Sequence, residues 1–201
     1  MRWRILAAVA VLLGAAACSD GPVVRTAAGV PERWYATVDD ALAERPEVTS
    51  VAQLEDGGKC PLSHQVVLNG GKISDVSDHG VVRLRGAIPA VLCSWFDGRT
   101  VDVEVAHAPD AAGYTELVAG SHAVDQPGNE QTEQDVAIDG RTVRVVRIVY
   151  PTNPSAGESL NATLLDEDSR GRVRLQVHRT HLIDGYDAHA IARDLLAFVD
   201  N

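Results

Sequence analysis

The chain has little of what usually makes a site legible. Among 201 residues there are three cysteines, one methionine, nine aromatics and only two lysines, Lys59 and Lys72. No Cys-x-x-Cys occurs, so the common spacing of a dithiol redox pair is missing. No His-Glu-x-x-His, Gly-x-Ser-x-Gly or Gly-x-Gly-x-x-Gly is present either, which removes the sequence signatures of a helix-borne zinc site, a serine nucleophile elbow and a dinucleotide loop. No apolar run approaches the roughly 20 residues that span a bilayer. Positive charge is scarce: 18 basic residues face 28 acidic ones, a net charge of −10. That balance argues against binding a phosphate backbone, which needs clustered Lys and Arg, and against flat adhesion to an anionic membrane. Solubility explains it.

What the chain does have is concentrated at its start. Arg2 and Arg4 form a basic segment, Ile5 to Leu13 a short apolar one, and Gly14 to Ala17 a run of small residues ending at Cys18. This is the layout of a cleaved export signal. Ala15 to Cys18 resembles the lipobox of bacterial lipoproteins, with Ala15 where a larger aliphatic residue is usual. The resemblance implies acylation of Cys18 and a stable membrane anchor, since two or more acyl chains hold where one is marginal. The alternative is an ordinary secreted protein cut near Ala17. The expected organisation is a signal over residues 1–17, a lipidated Cys18 with a Gly- and Pro-punctuated tether over 18–31, and one extracytoplasmic domain over 32–201. Losing residues 1–17 leaves 16 basic against 28 acidic residues, about −12.

With Cys18 acylated, Cys60 and Cys93 remain. In an oxidising compartment a leftover pair is most simply a disulfide. It would close a loop of 34 residues, worth roughly 3–4 kcal/mol in the chain-entropy picture. A redox pair is the alternative, and the spacing disfavours it.

Downstream, Trp34, Val38, Ala41 and Leu42 recur at helical spacing and predict a helix over about 35–45, stopped by Pro46. Val48, Val51 and Leu54 suggest a further helical turn. Val66 to Leu68 fits a helix turn capped by Ser63 or a strand. From Val81 the pattern changes to short β-branched runs. Val81–Leu84 and Ala90–Phe96 read as strands; Asp97-Gly98 signals a hairpin, and Thr100–Val105 alternates apolar with acidic. Asp110 should cap a helix reaching Ala119, with Tyr114, Leu117 and Val118 buried and Gly120 ending it. Residues 121–134 read as a loop. Val136–Ile138, Asp139-Gly140 and Val143–Tyr150 form a second hairpin, and Leu160–Leu165 with Val173–Val177 a third, joined by a polar turn over Asp166–Arg172. Asp187 should cap a closing helix over about 188–199. Sequential hairpins among helices predict an α+β class: an antiparallel sheet covered by helices as a layered sandwich.

The lipobox at Cys18, Cys60-Pro61-Leu62 followed by Cys93-Ser94-Trp95, and the terminal helix are together similar to DUF3558-type cell-envelope lipoproteins of actinobacteria. They are more distantly similar to envelope lipoproteins with a PsbP/Mog1-like sandwich. The segment after Cys60 departs from that family's long amphipathic helix, and its later cysteines are absent. The resemblance implies no catalytic residues.

Seven histidines are present: His64, His79, His107, His122, His178, His181 and His189. His178, His181, Asp184, Asp187 and His189 are the densest group, but strand positions three apart face opposite ways, so solvated histidines beside a helix cap are expected rather than a metal site. Ser121-His122 with Asp125 nearby lacks the convergence a triad needs. Asp166-Glu167-Asp168 reads as a solvated turn without calcium-loop spacing. Trp95, beside the expected disulfide, is most simply core packing; because adjacent strand positions face opposite ways, the alternative is that one of Trp95 and Phe96 points out of the sheet and lines a ligand groove or partner patch. The expectation is a non-enzymatic, membrane-tethered protein with no catalytic residue, metal or cofactor and no nucleic-acid partner. It would bind an envelope ligand or protein. A cavity of several hundred cubic ångströms with apolar lining would favour a binder; His, Asp and Ser within hydrogen-bond reach, an envelope hydrolase; a large exposed apolar patch, an assembly factor.

Overall fold

The computed structural model describes residues 29–43, 51–53, 67–68, 71–72, 79–85, 88–96, 100–153, 155, 157–169, 171–180, 182 and 184–200. Its elements are helix α1 (Arg33–Ala43), strands β1 (Val51–Gln53), β2 (Val67–Leu68), β3 (Gly71–Lys72), β4 (His79–Arg85), β5 (Ile88–Phe96) and β6 (Thr100–Ala108), helix α2 (Ala111–Ala119), strands β7 (Glu130–Ile138), β8 (Arg141–Val149), β9 (Glu158–Asp168) and β10 (Gly171–Thr180), and helix α3 (Ala188–Asp200). Eight strands form one antiparallel sheet in the order β1-β4-β5-β6-β10-β9-β8-β7, and β2 pairs with β3 apart from it. Two meanders therefore meet at the β6–β10 pair, where Val105 lies opposite Leu175 and Val103 opposite Val177.

Local chemistry accounts for the boundaries. Asp110 caps α2 by accepting from the Gly113 amide at 2.8 Å, and Asp187 caps α3 by accepting from the Ala190 amide at 2.9 Å. Asp139 and Gly140 turn the β7–β8 hairpin with φ of 50° and 77°, the pair of left-handed residues that suits a two-residue hairpin. The α3 carbonyl of Val199, which has no intrahelical partner, accepts from Arg33 Nη2 at 2.8 Å and Trp34 Nε1 at 2.9 Å. Trp34 also packs on Phe198 with ring centroids 4.8 Å apart. First and last helices are thus locked together.

Strand alternation sorts the rest. Val103, Val105, Leu164, Val173, Leu175 and Val177 face α1 and α3, whose Trp34, Val38, Ile191, Leu195 and Val199 complete the main core. Each such side chain contributes about 1.5–3 kcal/mol by leaving water. The intervening positions face the other way. There α2 lays Leu117 and Tyr114 over a smaller cluster of Ile88, Ala90, Ala106, Ala108 and Leu165. The result is the expected α+β class, helices on both faces of an antiparallel sheet.

Several expectations need correction. The helical turn expected through Val51 is instead a strand, Val51–Gln53 pairing with Arg83–Val81; β-branched Val51 suits a ladder. At Val67 and Leu68, where helix turn and strand were both open, the structure has the strand. The loop expected over 121–134 ends at Glu130, because β7 pairs with β8 along its whole length, Glu130 opposite Val149. Its polar composition reflects an edge strand mostly exposed on both sides. Asp166 is not in a solvated turn: β9 runs through it, it is 6% exposed, and it accepts a hydrogen bond from the Tyr35 hydroxyl. Gly120 ends α2 with φ of −71°, not in a left-handed conformation. A Cβ there would stand 3.3 Å from Arg174 Nη1, so close approach explains the glycine.

Candidate functional site

Strands β7, β8 and β9 lie on one side, and Leu182 with Tyr186, Asp187 and Ala188 at the entry to α3 on the other. Between the two lies a cleft of about 370 Å³. Val145 and Leu160 form its floor and Leu182, Tyr186 and Ala188 its far wall. Thr132, Gln134, Arg147, Glu158 and Asp187 supply polar edges. The floor belongs to the main core: Val145 is 1% and Leu160 3% exposed. The register puts Thr132 opposite Arg147, and Arg147 opposite Leu160. Arg147 grips Glu158 bidentately, Nε to Oε2 at 3.0 Å and Nη2 to Oε1 at 2.6 Å. Both are partly exposed, so the pair closes one side of the cleft at modest energetic weight.

Tyr186 is the wall residue that the surrounding structure holds most firmly. Its hydroxyl donates to Asp194 Oδ2 at 2.6 Å, and the Arg179 guanidinium sits over its ring, 4.5 Å from the centroid. Burial, helped by the Asp194 carboxylate and opposed by Arg179, pushes the Tyr186 hydroxyl well above its ordinary pKa. The phenol is neutral at every physiological pH. Its polar end is committed inward, and the ring serves as wall. Such a cleft can hold a small molecule with an apolar body and polar ends.

The residues singled out by sequence are scattered. Cys18 and Cys60 lie outside the described residues. Cys93 is fully buried on β5. Trp95 and Phe96 end the same strand, their backbones opposite Val101 and Thr100; their side chains lie outside the described residues. Ser121 donates its hydroxyl proton to the Val118 carbonyl at 2.7 Å. His122 accepts from Arg144 Nη1 at Nε2 (2.9 Å), which places its proton on Nδ1, facing Glu133 at 3.0 Å. Arg144 Nη1 reaches both the Ser121 hydroxyl, at 3.4 Å, and His122 Nε2, so the histidine nitrogen that would take a proton from Ser121 is held by the guanidinium. His107 faces Asp39 at 3.3 Å and His178 faces Asp102 at 3.3 Å. His64 and His181 lie outside the described residues. Among the described residues no three of His, Cys, Asp and Glu come together as a metal site would require.

Sequence reasoning missed the cleft. Thr132 and Gln134 fell in an expected loop, and Leu182 in an unassigned segment. One signal was available: Asp139-Gly140 fixes a two-residue hairpin, so the length of β8 dictates an equal β7, which reaches back to Glu130 and brings Thr132 and Gln134 onto the sheet.

No family model, curated protein or solved structure matches the chain.

Proposed function

We propose that this is a lipid-anchored extracytoplasmic binding protein that takes a small amphipathic envelope ligand in the cleft between β7–β9 and α3. The observation that carries this reading is the cleft itself. Its volume of about 370 Å³ falls in the range of small-molecule sites, roughly 300–1,000 Å³, and its lining joins an apolar floor to a comparable share of polar groups, as an amphipathic ligand requires. Val145, Leu160 and Leu182 would take the apolar body; Thr132, Gln134 and the Arg147–Glu158 pair would fix its polar ends. Among the described residues Val124 is the one large hydrophobic side chain exposed, so they form no apolar patch of the size an assembly surface uses.

The anchor belongs to the same proposal, resting on Arg2, Arg4, the apolar run and Cys18. No helix among the described residues is long and apolar enough to cross a membrane, so attachment would come from acyl chains. The division into signal, tether from Cys18 and domain from Glu32, and the likeness to DUF3558-type envelope lipoproteins, are parts of this reading. So is the Cys60–Cys93 bridge, supported by Cys93 being wholly buried and not a free thiol.

The test is native mass spectrometry of the full chain exported from a bacterium that acylates lipoproteins. The expected result is an adduct that denaturation releases and that Ala188→Phe, which fills the cleft from the α3 side, no longer carries. A bare mass, or an adduct indifferent to Ala188→Phe, would sink the assignment of the cleft.

A further inference from the structure

The sheet's other face carries a second, chemically different cleft of about 270 Å³. Its floor is a polar array on β6, β10 and β9. Asp102 lies opposite His178, which lies opposite Asn161; Glu104 lies opposite Gln176, which lies opposite Thr163. Leu92 on β5 and Ile148 on β8 border it on either side, and Gly120 stands at the end of α2.

The array is organised rather than merely hydrated. Gln176 Nε2 donates to Asn161 Oδ1 at 2.5 Å, which fixes both amide planes. His178 Nδ1 engages Asp102, so its ring orientation is set as well. Those bonds use one polar atom of each side chain. Asn161 Nδ2, Gln176 Oε1 and His178 Nε2 have no hydrogen-bond partner among the described residues. None of the three is sealed from solvent. Asn161, Gln176 and His178 all line the one cleft, so a donor, an acceptor and an imidazole nitrogen are available there on side chains already held in place before any ligand arrives.

Charge selects among ligand classes. Arg174 is 1% exposed and its charge is matched by Glu104, with which it forms an ion pair. Among the described residues lining the cleft there is no lysine or arginine to hold an anion. The floor is too polar for an apolar ligand. A sugar hydroxyl both donates and accepts, which suits alternating amide and imidazole atoms, and the C–H edges of a pyranose can rest on Leu92 and Ile148.

We propose that this polar-face cleft is a second binding site and that it takes a neutral, hydroxyl-rich ligand of the saccharide class. Saturation-transfer NMR on the full chain tests it, with glucose, mannose and N-acetylglucosamine as probes and inorganic phosphate and hexylamine as charged controls. At least one neutral sugar is expected to bind. Gln176→Leu and Asn161→Leu should each weaken it about tenfold, the loss expected for a hydrogen bond worth about 1.4 kcal/mol. His178→Asn is the gentler variant should either leucine prevent folding, and it should weaken binding as well. Ala188→Phe, which closes the cleft on the opposite face, should leave sugar binding intact. No transfer from any sugar, transfer unmoved by the polar-face variants, or preference for phosphate or hexylamine would overturn the proposal. None of these results bears on the amphipathic ligand, because the two clefts lie on opposite faces of the sheet.

Discussion

On β6 and β10, Val103, Val105, Leu175 and Val177 lie under α1 and α3, each fully buried. One residue along, Asp102, Glu104, Gln176 and His178 face the opposite side, where α2 is the one helix among the described residues. The same two strands therefore build a sealed apolar layer and a polar, partly open one. Burial of apolar area holds the first. The second depends on the matched Arg174–Glu104 pair beneath the end of α2 and on side-chain hydrogen bonds. Packing tolerates change by degree; a buried charge does not.

The largest expected effect follows from that contrast. Glu104→Ala should destabilise the fold by about 3–5 kcal/mol, since it strands the buried Arg174 charge. Replacing both partners, Glu104→Met with Arg174→Leu, should recover most of the loss in chemical denaturation. If the double variant is as unstable as the single, the pair matters for more than matched charge.

On the apolar face, Leu195→Ala at a fully buried position should cost about 2–5 kcal/mol, with no single partner substitution that restores it. Next comes Tyr186→Phe, which removes the hydroxyl that donates to Asp194 and should cost about 1–2 kcal/mol. It also carries a pH signature. The folded Tyr186 has a raised pKa, so its contribution is whole below the unfolded tyrosine value near 10 and falls as pH rises beyond it. The variant should lack that part of the alkaline decline. An unchanged alkaline limb would contradict the buried, acceptor-bound phenol.

The smallest effect belongs to the rim of the polar face. The Ala123 amide donates to Glu133 at 2.9 Å, and with His122 and Arg144 it holds the Glu133 carboxyl below its ordinary pKa, against a smaller cost of burial. Because that pKa is depressed, the stabilisation is present above the ordinary carboxylate range and lost as pH falls through the folded value. Glu133→Gln should cost about 1 kcal/mol or less at neutral pH, and the difference should vanish in acid. Paired acid titrations of the two proteins check it.

The contrast also explains what could be read in advance. Both capped helices, α2 at Asp110 and α3 at Asp187, were legible because a cap is a local hydrogen bond. Strand β6 was legible because Val101, Val103 and Val105 alternate with Asp102 and Glu104, and the sheet does have one dry and one wet face there. The outer half of β7 was not: Glu130–Gln134 is exposed on an edge, so burial imposes no period on it, and only pairing with β8 makes it a strand. Asp166 looked like a solvated acid because its partner, Tyr35, lies 131 positions away. Both clefts escaped for the same reason: each is assembled by ladder register and by helices distant in sequence.

Hydrogen exchange of the full exported chain, carrying its released-and-rebound adduct and stripped of it, tests the central claim most directly. Slower exchange confined to β7, β8, β9 and residues 182–188 is the predicted result, with the amides around Asp102 and Gln176 unchanged. Protection that appears elsewhere, or nowhere, would contradict a ligand cleft on the helix-covered face.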